Sequence, residues 1–309
     1  RTRGWELSVN WRDQIGKVGY RVGFNLSDSQ SKIVKYNSNE SGILTSALSN
    51  GSTFWNYYEG KDLGEIWGYE YDGFYTVDDF TDTSSWKLKE GVPSIDGYNP
   101  RPGDVKFKNL KDDDRGTNMI SSGDNTVSNP GDRKVIGNNT PRYLYGITLG
   151  ANFKGFDLNV FMQGTGKRDA WIANNLKFPL YSDFKFIALY KDLGNYWKPV
   201  DAANGDYTAA NPNAEFPRIY GNYGNQGSNY RQSDKYLSDA SYFRIKNVTL
   251  SYTFPKAWIT KASLSQLKAF VSIENLATFS SLPKGIDPET LSWNYPAFRT
   301  VSFGLNVTL

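Results

Sequence analysis

Trp55, Tyr57 and Tyr58 fall close together in one stretch, and Trp171, Asn174, Asn175, Tyr181, Tyr220, Tyr223 and Tyr230 are spread over a second. A flat aromatic ring packs on the apolar C–H face of a sugar ring, and a neighbouring amide or carboxylate meets the hydroxyls. These stretches therefore hold candidate contacts for a polyhydroxylated ligand. Trp55, Tyr57, Tyr58, Trp171, Asn174, Asn175 and Tyr223 are the residues expected to carry substrate. Most aromatics in such stretches are expected to build the small cores that long loops need, and a minority to line a cavity.

Other chemistries are closed off by composition. The 309 residues contain no His and no Cys. A Ser-His-Asp triad, a Cys-His dyad, a His-based zinc site and a disulfide framework are all excluded. Lys plus Arg is 35 and Asp plus Glu is 32, so the net charge of +3 gives no argument for nucleic acid. Asp112, Asp113 and Asp114, with Asp124 and Asn125 nearby, could suggest calcium. The spacing is broken by Arg115 and by Thr117 to Met119, and no Glu closes the loop, so a solvated acidic turn is expected. The pair Asp78 and Asp79 does not make a hydrolase. No metal, no cofactor and no enzymatic activity is expected.

The elements that must position these stretches show period-two alternation. In the last residues, Val301, Phe303, Leu305, Val307 and Leu309 share one parity, and Thr300, Ser302, Gly304, Asn306 and Thr308 share the other. The start of the chain behaves alike. Trp5, Leu7, Val9 and Trp11 lie opposite Glu6, Ser8, Asn10 and Arg12; then Val18, Tyr20, Val22, Phe24 and Leu26 alternate with Gly19, Arg21, Gly23 and Asn25. Tyr143 to Phe153 and Phe156 to Met162 form a hairpin turning at Lys154-Gly155. Tyr242 to Phe254 follows, with a parity slip near Lys246-Asn247 that predicts a bulge, and Pro255 stops it. Leu267, Ala269, Val271 and Ile273 give one more apolar face.

Short connections (13–17, 154–155, 255–265) alternate with long ones (27–142, 165–241, 277–297). Outer-membrane barrels alternate this way, with short periplasmic turns and long external loops. The strands approach the roughly 9–11 residues that cross lipid at a tilt. No run of about 18 apolar residues exists to form a membrane helix. The expected fold is all-β, a transmembrane antiparallel β-barrel of which at least seven strands are present. An odd number does not close such a barrel, so earlier strands are expected outside these residues. Trp5, Trp11, Tyr20 and Tyr143 are candidates for aromatic girdles. The competing fold is a secreted β-sandwich, whose strands are usually about 5–6 residues, and the competing function is that of a non-transporting outer-membrane or secreted β-protein such as an adhesin or carbohydrate-binding module.

Several stretches in order resemble the C-terminal half of SusC/RagA-family TonB-dependent transporters of Bacteroidetes. They are Gly64 to Tyr69 with Asp72 to Phe74, Pro102 to Lys106, Gly137-Asn138 with Pro141, Lys154 to Leu158 leading to Gln163-Gly164, and Phe216 to Arg218. Tyr242 to Asn247 through Leu250 to Tyr252, Glu274 to Leu276, Gly285 to Glu289, and Tyr295-Pro296 complete the series. The resemblance implies part of a plugged barrel of the 22-stranded kind. It implies a place in the outer membrane and a SusD-like surface lipoprotein as lid. It further implies import of glycans, or of peptides, driven through TonB. The plug and the TonB-contacting segment have no counterpart here. They are expected in the remainder of the same transporter, upstream of Arg1.

Overall fold

The computed structural model describes residues 1–47, 53–95, 97–112, 118–172, 178, 191, 194–220, 228–260, 263–291 and 297–309. They divide into two compact units. The first comprises Arg1–Ser31, Thr140–Asp169 and Asp239–Leu309, the second Lys32–Asn139 and Ala170–Ser238.

The first unit is one antiparallel sheet of seven strands: β1 (Thr2–Ile15), β2 (Val18–Ser31), β3 (Arg142–Phe153), β4 (Phe156–Lys167), β5 (Tyr242–Thr253), β6 (Gln266–Ser280) and β7 (Thr300–Thr308). Each strand pairs with the next in sequence, giving a meander without crossovers. The strands run from 9 to 15 residues, well beyond the usual length in a sandwich.

Two tight turns follow from glycine. Ile15 pairs with Val18 around Gly16-Lys17, where Gly16 takes φ 60°. A two-residue hairpin of this kind needs a positive φ at its first central position, which glycine adopts without a Cβ clash. Phe153 pairs with Phe156 around Lys154 (φ 45°) and Gly155 (φ 88°). The third short connection holds Pro255 and a single helical turn, α1 (Lys256–Ile259).

Register sets the two faces. Leu7, Leu26 and Tyr145 stand side by side, as do Val9, Phe24, Ile147 and Met162, and Val248, Ile273 and Val301. They form one apolar face. On β7 it is open, with Val301 50%, Phe303 81%, Leu305 67% and Val307 53% exposed. A sandwich would bury these side chains against a second sheet. The opposite face carries Arg12, Arg21, Asn25, Asn159, Gln163 and Arg244. The parity slip is a bulge: Met162 pairs with Ile245 and Phe161 with Asn247, which leaves Lys246 unpaired. The same residue is skipped toward β6.

Three boundaries differ from the periodicity. β2 continues to Ser31, β4 to Lys167 and β6 to Ser280. Ser27 and Asp28 remain paired with Glu6 and Trp5. Ladder hydrogen bonds extend a strand past the point where its side chains turn polar on both faces, and hydrophobic alternation alone cannot register that.

The second unit contains more structure than its polar composition suggests. Its strand pairs are short: Glu65–Tyr69 with Arg133–Asn138, Tyr71–Phe74 with Val105–Phe107, and Ser94–Ile95 parallel to Met119–Ile120. Separate small cores form around Val105, Phe107 and Ile120, around Phe178, Phe216 and Tyr236, and around Leu44, Tyr58 and Trp67.

Candidate functional site

The predicted aromatic contacts split by burial. Tyr58 is 4% exposed in the core with Leu44 and Trp67, and Trp55 packs on that core. The Tyr58 hydroxyl donates to Glu65, which also accepts from Trp67 Nε1 at 2.8 Å. Burial pushes the Glu65 carboxyl upward. Tyr57, by contrast, is exposed, edge-on to Tyr36 with ring centroids 6.1 Å apart. Lys61 lies 5.9 Å from the Tyr57 ring centroid and 5.2 Å from that of Tyr58. Its Nζ donates to the Asn56 carbonyl at 2.9 Å, and desolvation lowers its pKa. Trp171 packs against Phe178 and Tyr236, with centroids at 5.7 and 6.1 Å. Asn174, Asn175, Tyr181 and Tyr223 lie outside the described residues.

The acid-rich stretches are structural where they are described. Asp112 accepts from Asn109 at 3.0 Å; Asp113 and Asp114 lie outside the described residues. Asp79 accepts from the Thr76 backbone N–H at 2.7 Å and pairs with Lys106 at 3.4 Å. Among the described residues no group of three or more His, Cys, Asp or Glu could hold a metal ion.

Two charged centres fall within the landmark stretches, where sequence reasoning assigned no site. Asp104 is fully buried. Its Oδ2 accepts from the hydroxyls of Tyr98 (2.8 Å) and Tyr220 (2.5 Å) and from the Arg101 backbone N–H (2.7 Å). Asn229 donates to Oδ1 at 3.0 Å and accepts from the Val105 N–H at 2.8 Å. Burial pushes the carboxyl upward against these donors. One carboxylate thus joins Tyr98 and Arg101 to Tyr220 and Asn229 within the second unit.

The other centre lies on the polar face of the sheet. The connection after β6 folds back so that Asp287 and Glu289 reach β5. Arg244, 2% exposed, places Nη2 2.7 Å from Asp287 Oδ2 and donates from Nε to Thr278 at 2.9 Å. Its Nη1 is 2.9 Å from Glu289 Oε1, at ion-pair distance but off the hydrogen-bond direction. Glu289 also takes Lys246 at 3.1 Å and Gln163 at 2.7 Å. Arg168 Nη1 caps the turn by donating to the Pro288 carbonyl at 3.0 Å. The bulge is what brings Lys246 into this group. The available signal was the coincidence of a parity slip with two basic residues, Arg244 and Lys246, and a later Asp287-Pro288-Glu289.

No family model matches the chain. In sequence it is 28% identical over 326 residues to the TonB-dependent receptor P3 of Formosa agariphila, covering 99% of this chain and 28% of that protein. It is 22% identical over 325 residues to the TonB-dependent receptor P26 of the same organism, again over 99% of this chain. In structure it is similar to the RagAB peptide transporter, with a TM-score of 0.61 at 19% identity over 99% of this chain and 29% of that one. The RagAB peptide importer in its open-open state gives 0.60 at 18% identity. The chain spans under a third of the length of each of these proteins. Along its whole length, then, this chain resembles the TonB-dependent receptors, and its meander has the fold of a segment of their transporter barrel.

Proposed function

We propose that residues 1–309 are the C-terminal part of the barrel of a TonB-dependent outer-membrane importer that takes up glycans. A SusD-like surface lipoprotein serves as its lid. The observation that carries this reading is the asymmetry of the seven-stranded sheet. One face is continuous apolar surface open across β7, and the other carries arginine, asparagine and glutamine. Lipid satisfies the first and a wet interior the second. The excursions 27–142 and 165–241 are then external loops, and the plug and TonB contact belong to the remainder of the polypeptide.

Glycan cargo is supported by the aromatics of those excursions. Exposed Tyr57 is the first candidate contact; Trp55 and Trp171 present edges of packed cores, and Tyr58 supports from beneath. Asn174, Asn175 and Tyr223 complete the proposed set. A second reading, peptide cargo, is favoured by the solved structures of similar fold, which are peptide transporters.

The test is uptake by cells carrying the full-length gene, with labelled oligosaccharides and labelled oligopeptides, with and without TonB. TonB-dependent accumulation of an oligosaccharide, weakened by Tyr57→Ala or Trp171→Ala without loss of the barrel, supports the proposal. Accumulation of peptides alone moves the cargo to the second reading. A protein that is soluble and monomeric without detergent ends both.

A further inference from the structure

At the short-turn end of the sheet the apolar face carries a chain of rings. Phe153, Phe156 and Tyr252 share a row there, side by side on β3, β4 and β5. Phe156 and Tyr252 have ring centroids 4.6 Å apart, Tyr252 and Phe254 5.1 Å, and Phe254 and Trp258 6.4 Å. The chain therefore leaves the ladder after β5 and continues onto α1. That single helical turn buries Ile259 and turns Trp258 outward, 65% exposed. Phe153 and Phe156 are exposed as well.

Two lysines stand directly beyond these rings. Lys154 opens the turn between β3 and β4, with its Nζ 5.2 Å from the Phe153 ring centroid. Lys256 begins α1. The two connections adjoin. The Gly155 carbonyl accepts from the Thr253 N–H at 2.8 Å, and a Cβ on Gly155 would lie 2.8 Å from the Thr253 carbonyl oxygen. With φ at 88°, only glycine lets the turn come this close without strain. Neither lysine side chain meets a carboxylate among the described residues. Residues 154–155 and 255–265 contain no Asp or Glu, whereas the other short turn, 13–17, holds both Asp13 and Lys17. Unbalanced positive charge thus sits beside the ring chain.

We propose that this rim binds the headgroup of an anionic phospholipid, in the leaflet on the short-turn side. The phosphate lies between Lys154 and Lys256, and the first methylenes of the lipid pack on Phe156, Phe254 and Trp258. Charge complementarity selects the occupant. Rings at the ends of membrane-crossing strands sit at headgroup level, and cations just beyond them attract anionic lipid. α1 is then a foot in the interface, with Ile259 turned to the protein and Trp258 to lipid. This site rests on the importer reading, which turns the apolar face to lipid.

The test uses the full-length protein, purified in detergent and given equal amounts of phosphatidylglycerol and phosphatidylcholine with the same acyl chains. Native mass spectrometry counts the lipids each protein retains. The wild type should retain phosphatidylglycerol over phosphatidylcholine by at least about fivefold, the factor one well-placed cation supplies. Lys154→Glu/Lys256→Glu should bring that ratio to about one. Lys268→Glu, on the polar face opposite Asn306, should leave it unchanged. Trp258→Ser should lower the total retained and keep the ratio. Heat-shifted mobility on gels confirms that each variant forms its barrel. Equal retention of the two lipids by the wild type overturns the site. So does a preference that survives the double charge reversal or falls equally in Lys268→Glu, or a total indifferent to Trp258→Ser. TonB-dependent uptake by cells carrying the full-length gene separates the failures. Uptake without a headgroup preference removes the site alone; a protein soluble and monomeric without detergent removes the importer reading with it.

Discussion

Replacing Arg244 with methionine removes a charge from the most enclosed ionic group on the sheet while keeping a side chain of similar length. The Arg244 side chain is 2% exposed, and those of Asp287 and Glu289 are 8% and 26% exposed. Breaking one partner out of a buried ion pair costs about 3–5 kcal/mol, because the remaining charge stays desolvated. Here the loss is partly offset. Glu289 keeps Lys246 at 3.1 Å and Gln163 at 2.7 Å, and Asp287 keeps the Glu289 backbone N–H at 2.8 Å. That leaves about 2–3 kcal/mol as the expected destabilisation, most of it from Asp287. Arg21→Met is the internal control. Its pair with Asp157 is longer, at 3.4 Å, and the side chains are 31% and 27% exposed, so its loss should be about 0–1 kcal/mol. Both variants would be made in the full-length protein and unfolded by urea in detergent, with tryptophan fluorescence and gel mobility as probes. Limited proteolysis should also cut the 281–299 connection faster in Arg244→Met only. Equal midpoints for the two variants, or an unchanged cleavage rate, would refute the claim that this arginine latches the connection to β5.

Two further outcomes follow from the geometry. Glu70 bridges Lys108 and Lys134, and these hydrogen bonds, that from Lys108 first, hold its carboxyl down at about 2, below the ordinary carboxylate range. A depressed carboxyl contributes stability above its unfolded pKa and loses it as pH falls through the folded value. Protease resistance of the second unit should therefore decline from pH 4.5 toward pH 2, and Glu70→Gln should flatten that decline; identical pH profiles would contradict the assignment. Phe303→Arg places a charge on the apolar face at the most open of its positions within β7, and in lipid this costs about 2–4 kcal/mol near mid-membrane. Assembly into the outer membrane should drop sharply, whereas Ser302→Arg, on the other face, should assemble; the reverse order would put lipid on the wrong side.

What the sequence made legible is what period two encodes. Parity assigns each side chain to a face whatever it pairs with, so the apolar set from Leu7 to Val307 and the slip at Lys246 could be read without a structure. Parity says nothing of height, and height decides partners. Arg21 and Asp157 are 136 residues apart, and Arg244 and Asp287 are 43 apart. The register of the one intervening strand, β3, brings Arg21 and Asp157 to one level, and the turn after β6 carries Asp287 back to Arg244. The aromatic candidates failed to sort for a related reason. Tyr57 and Tyr58 are neighbours of identical chemistry, yet one is exposed and the other forms a core with Leu44 and Trp67. In the irregular segment after Thr53–Trp55 the backbone path fixes which of two adjacent rings turns inward, and Glu65 meets the hydroxyl of the one that does. Composition marked where aromatic rings are concentrated; polar partners such as buried Asp104 and half-buried Glu65 hold the hydroxyls of Tyr98, Tyr220 and Tyr58 and so tie those rings into the fold.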